Sequence, residues 1–153
     1  MKIEDLQSCN IICSNWLKDS LSILNDAQKV EFDRLVAFAK ATIYQYQQIL
    51  SLKPEGVFSK IVESQAQDQR LAILQVERDL SASSIPIQFA YRYVQFQKKV
   101  NKSYETDNPN KELQLTSILL DYYIRDKILF QITHGKHKNF PDCASKIVDN
   151  INL

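Results

Sequence analysis

The 153-residue sequence predicts an all-α protein, and three observations carry that expectation. Glycine occurs only twice and proline four times. Tight hairpins between strands need residues that adopt positive φ, and so few glycines supply little of it. Apolar residues recur at steps of three and four through most of the chain, the period of a helix face and not of a strand. Between Leu113 and Ile132, finally, 12 of 20 residues are Leu, Ile, Phe or Tyr. They cover most of a helical circumference, the mark of a buried helix. The expected architecture is therefore one domain, residues 1–153, folded as a bundle of five to six helices around a buried central helix near 110–133.

The elements follow in order. A first helix runs from about Ile3 to Leu24, with Leu6, Cys13, Trp16, Leu17, Leu21 and Leu24 on one face. Asn25-Asp26 breaks it, and the Asp26 carboxylate suits the cap of the next helix. That second helix, from about Ala27 to Leu52, carries Val30 or Phe32, Leu35, Phe38, Ala39, Thr42, Ile43, Tyr46, Ile49 and Leu50. Lys53-Pro54-Glu55-Gly56 ends it, because a residue before proline disfavours the α region. The stretch 54–80 is helical, as one helix or as two with a break near Ser64. The run Ser81-Ala82-Ser83-Ser84-Ile85-Pro86 marks a boundary, with serines suited to capping and a proline suited to a first turn. A fourth helix then reaches about Lys102 on an apolar stripe of Ile85, Phe89, Tyr93, Phe96 and Val100. Asn108-Pro109 has the form of a cap followed by a first-turn proline, and starts the central helix. Gly135 stops that helix, and Pro141 introduces a short last one to about Asn150.

Composition narrows the function classes. Hydrophobic residues make up 44% and charged residues 24%, which is ordinary for a globular domain and argues against extensive disorder. A net charge of +1 points, for the molecule as a whole, to neither a polyanion nor a membrane surface. No stretch approaches the roughly 20 apolar residues of a membrane span. Glu4 and Asp5 stand where a signal peptide is basic and then apolar, so a cytoplasmic chain is expected. The three cysteines, Cys9, Cys13 and Cys143, are an odd number in such a chain and read as small reduced hydrophobes. Two glycines build no phosphate loop or dinucleotide fingerprint, and no cofactor is expected.

The segment Ile132 to Phe140, ITHGKHKNF, holds both histidines. An enzyme reading would use His134 or His137 with Cys143 as nucleophile. The helix terminus offers His134 a simpler role, its ring set against the last unpaired carbonyls. Cys9-x3-Cys13 with His134-x2-His137 is formally a zinc ligand set, but more than a hundred residues separate the two pairs. No metal site is expected.

The remaining signal is local charge. From Leu80 to Tyr104 there is no Asp or Glu. Gln88, Arg92, Gln95, Lys99 and Lys102 fall within about 80° of one another on a helical wheel, and Lys98 lies beside them. Lys136 and Lys138 add positive charge further on. Such side chains reach phosphates without reading bases. The leading expectation is a non-enzymatic helical binding or assembly subunit with protein partners in a larger complex. The alternative is a small subunit that holds an RNA or single-stranded DNA backbone. In size and helix class the chain is similar to the small helical subunits of CRISPR effector complexes, a likeness that no single motif carries.

Overall fold

The apolar run near the middle of the second half of the chain lies where its pattern places it, at the centre. The computed structural model describes residues 2–51, 59–105 and 110–151, with the backbone alone for 59–66. These fold as six helices: α1 (Ile3–Ser22), α2 (Asp26–Ser51), α3 (Ser59–Ser81), α4 (Ile87–Tyr104), α5 (Lys111–Thr133) and α6 (Asp142–Asp149). Among the described residues there is no strand, and no helix is long and apolar enough to cross a membrane. Helix α5 packs against α1, α2, α4 and α6, while α3 closes the far side against α2 and α4. Leu119, Leu120, Ile124, Ile128 and Leu129 of α5 are fully buried.

Polar contacts fix the register. Ser84 pairs with Gln131, Tyr93 with Asp121 and Gln97 with Ser117, so α4 and α5 run antiparallel. On the opposite side Asn10 donates to the Leu115 carbonyl and Trp16 Nε1 donates to the Lys138 carbonyl at 2.9 Å. The face of α2 is Phe32, Val36, Ala39, Thr42, Ile43, Tyr46 and Ile49, whereas Val30 and Phe38 point outward.

Several boundaries differ from the sequence expectation, each for a local reason. Helix α2 is capped by Asn25 and not by Asp26. Asn25 Oδ1 accepts from Gln28 N at 2.8 Å and Gln28 Oε1 accepts from Asn25 N at 3.0 Å, a reciprocal capping box that the Asp26 carboxylate does not form. Helix α3 passes through Ser64 without a break; the Pro54-Gly56 stop lies outside the described residues. The serines after it terminate α3 and do not cap α4. Ser84 takes a φ of 59°, and Ile85 N donates back to the Leu80 carbonyl. Asn108-Pro109 also lies outside the described residues. The cap in place is Asn110, whose side chain accepts from Leu113 N.

The cysteine expectation is corrected as well. Cys9 and Cys143 form a disulfide that joins α1 to α6 across 134 residues, with Cα atoms 6.0 Å apart. Helical spacing put Cys9 and Cys13 on one face, but only the tertiary fold brings Cys143 to them. All three meet in a small cluster with Leu6, Leu119 and Ala144. Cys13 stays a free thiol, fully buried, and burial pushes its pKa up to about 11.

Two outcomes follow. Cys143→Ser lowers the unfolding free energy by about 2–5 kcal/mol under non-reducing conditions, because closing so long a loop restricts the unfolded chain most; urea denaturation measures it. The thiol of Cys13 is protonated in the native state at pH values where an exposed cysteine ionises. Stability therefore falls as pH rises from 9 toward about 11, and Cys13 resists iodoacetamide at pH 8 in the folded protein, as read by mass spectrometry.

Candidate functional site

The segment 132–140 closes the end of α5. His134 ends the helix in the left-handed region (φ 54°), and Gly135 follows at φ 81°. His134 therefore caps through its backbone, with an exposed ring, and not by setting its imidazole against carbonyls. Gly135 N donates to the Phe130 carbonyl, and a Cβ at Gly135 would approach the Phe130 ring to 3.1 Å. The glycine is thus needed for both conformation and space.

The second histidine turns inward. His137 Nε2 donates to Asp126 Oδ1 at 2.6 Å, and both side chains are nearly excluded from water. Its Nδ1 lies 3.5 Å from the Thr133 hydroxyl, which itself donates to the Leu129 carbonyl. The Trp16 ring stands edge-on to the imidazole and to Phe140. Asp126 is a carboxylate on the buried helix, and it needs a fixed partner. The pair was not legible in the sequence, since eleven residues and a reversal separate its members. The signal available was Asp126 itself, an acid inside the apolar run 113–132. Asp126 and His137 join the loop to α5, and the bonded Cys143 joins α6 to α1. Among the described residues no cluster of three or more His, Cys, Asp or Glu suits a metal ion.

Helix α4 presents a different surface. Phe89, Ala90, Val94, Phe96 and Val100 are buried against the core. Gln88, Arg92, Lys98, Lys99 and Lys102 are exposed, and Gln95 is half-buried beside them. Tyr91 is exposed within the same sector. Arg92, Lys98 and Lys102 have no ion-pair partner among the described residues. Six of the eight basic and amide residues singled out in the sequence thus lie on one helix face. Lys136 and Lys138 lie in the loop after α5 and not on that helix. Lys138 is tied to Asp19 of α1 at 3.2 Å, and Lys136 is exposed in the turn after α5.

Two clefts meet at Arg92. The larger, about 370 Å³, is lined by Tyr46, Glu77, Ile87, Gln88, Tyr91 and Arg92. The smaller, about 140 Å³, shares Gln88 and Arg92 and adds Phe89, Tyr123 and Asp149. Burial holds the Tyr46 phenol above its usual range, with Tyr91 and Glu77 of the same cleft adding to the effect. The clefts were not legible in the sequence, because α2, α3 and α6 each contribute part of a wall.

Behind α4, the Tyr93 hydroxyl donates to Asp121 Oδ1 at 2.8 Å and Lys40 approaches the same carboxylate. Burial first, and then Asp121, pushes the Tyr93 phenol upward. These contacts hold the inner side of α4 in place.

Comparison with protein-family models, with curated proteins and with solved structures gives no match to this chain.

Removing one member of the buried pair leaves the other without its hydrogen bond. Asp126→Ala is expected to cost about 1–3 kcal/mol of stability. His134→Ala, at an exposed ring, costs less than about 1 kcal/mol of it. Chemical denaturation of both variants checks the contrast.

Proposed function

We propose that this chain is a non-enzymatic helical binding subunit that holds a nucleic-acid backbone through the outer face of α4. One observation carries the reading. Over residues 80–104 the chain has no acidic side chain, and Gln88, Arg92, Lys98, Lys99 and Lys102 of that stretch all reach solvent from one helix. A cationic helix face of this kind attracts phosphates and fixes no sequence. A binding role is further supported by the occupation of the reactive side chains. His137 is held by Asp126, and Cys143 is bonded to Cys9, so two of the three residues an enzyme would use serve the fold. The natural setting is a larger ribonucleoprotein with protein partners, in which a small helical subunit lines a strand. Location bears on the disulfide. A cytoplasmic setting keeps thiols reduced, whereas an oxidising compartment preserves the Cys9–Cys143 bond.

Binding of a labelled single-stranded oligonucleotide, followed by fluorescence anisotropy, tests the proposal. Affinity is expected to fall linearly with the logarithm of salt concentration. Replacing Arg92, Lys98 and Lys102 together by alanine reduces the magnitude of that slope by about 2, at about 0.7 per phosphate contact on a single strand. No binding at low salt, or a variant with an unchanged slope, contradicts the proposal.

A further inference from the structure

We propose that the cleft beside Tyr91 seats one unstacked base of a single-stranded nucleic acid while the adjoining phosphates follow α4. The inference rests on the backbone-binding reading of α4 and names the class of strand that the same surface takes.

The cleft has the chemistry for a base. Its walls are the Tyr46 and Tyr91 rings with aliphatic Ile87. Its polar groups are Gln88, Arg92 and the Glu77 carboxylate. Tyr46 is buried, whereas Tyr91 is 41% exposed and remains accessible to a ligand. At about 100° per residue, Tyr91 projects between the directions of Lys98 and Lys102, so the aromatic ring lies within the cationic sector and not beside it. An aromatic ring set in a cationic track is the arrangement that holds single strands, because every base presents a π-face once it leaves the stack. In a duplex both faces of each base are covered by neighbours, and Tyr91 would have nothing to stack on.

Charge orders the strand. Arg92 lines both clefts and is the cation that meets the phosphate next to the seated base. Lys98 and Lys102 continue C-terminally, about 9–15 Å along the helix at about 1.5 Å per residue. Glu77 repels phosphate, so the cleft interior takes the base and not the backbone. Its carboxylate accepts from an exocyclic amino group, which cytosine carries and thymine lacks.

The experiment compares three labelled strands of equal length at low salt by fluorescence anisotropy: oligo(dC), oligo(dT) and an abasic strand with the same phosphates. Oligo(dC) is expected to bind at least about tenfold tighter than the abasic strand, with oligo(dT) between them. Tyr91→Leu abolishes that advantage and leaves abasic binding unchanged; circular dichroism and thermal melting confirm its fold. Equal binding of oligo(dC) and the abasic strand overturns the base seat and leaves the backbone reading standing. So does a Tyr91→Leu variant that keeps the advantage. If none of the strands binds, the backbone reading falls and the base seat falls with it.

Discussion

The structure depends on the burial of α5. A helix that is apolar around most of its circumference is stable in water only when neighbours cover most of that surface. Helices α1, α2, α4 and α6 do so, leaving Ile118 and Phe130 exposed, and each turns its single apolar stripe inward. One consequence is geometric. A peripheral helix with one buried stripe has its remaining surface left over, and on α4 that remainder is basic and amide-rich. The core therefore determines which residues of α4 are available to a partner: Phe89, Val94, Phe96 and Val100 are committed inward, and Gln88, Arg92, Lys98 and Lys102 are not.

The same burial accounts for the segment after α5. Asp126 sits on the central helix at 8% exposure. A buried carboxyl group there needs a hydrogen-bond partner. His137 supplies it, and to reach Asp126 the chain must fold back over the end of α5. His134 and Gly135 make that reversal with two successive left-handed residues. The returning segment then lays its Lys138 carbonyl on Trp16 and delivers Cys143 to Cys9. The histidines and Cys143 are thus parts of one closure that pins α6 and the loop to α1, and Lys138 of that loop pairs with Asp19 of α1.

What the sequence discloses is what periodicity and punctuation encode. The central position of α5 follows from Leu119, Leu120, Ile124 and Ile128 standing amid other apolar residues that cover most of the helix circumference. The exposed face of α4 follows from the offset between Phe89, Phe96 and Val100 and the residues Arg92, Lys99 and Lys102. Features made by tertiary proximity were hidden. Cys9 and Cys143 lie 134 residues apart, and no local rule pairs them. Asp126 and His137 meet only after the chain reverses. The cleft at Arg92 draws Tyr46 from α2 and Glu77 from α3, each of which reads locally as an ordinary helix residue. Capping failed for a subtler reason. Asn25 and Asp26 are both good caps, and Gln28 decided between them by returning a second hydrogen bond.

On the proposed reading the binding surface is α4 and not the histidine-bearing loop. Titration of the isotope-labelled protein with a single-stranded oligonucleotide, followed by amide chemical shifts, tests it most directly. The account predicts shifts concentrated on Gln88, Tyr91, Arg92, Lys98 and Lys102, with those of His134, Lys136 and Lys138 unmoved. Shifts centred on residues 134–138, with α4 unchanged, would contradict it.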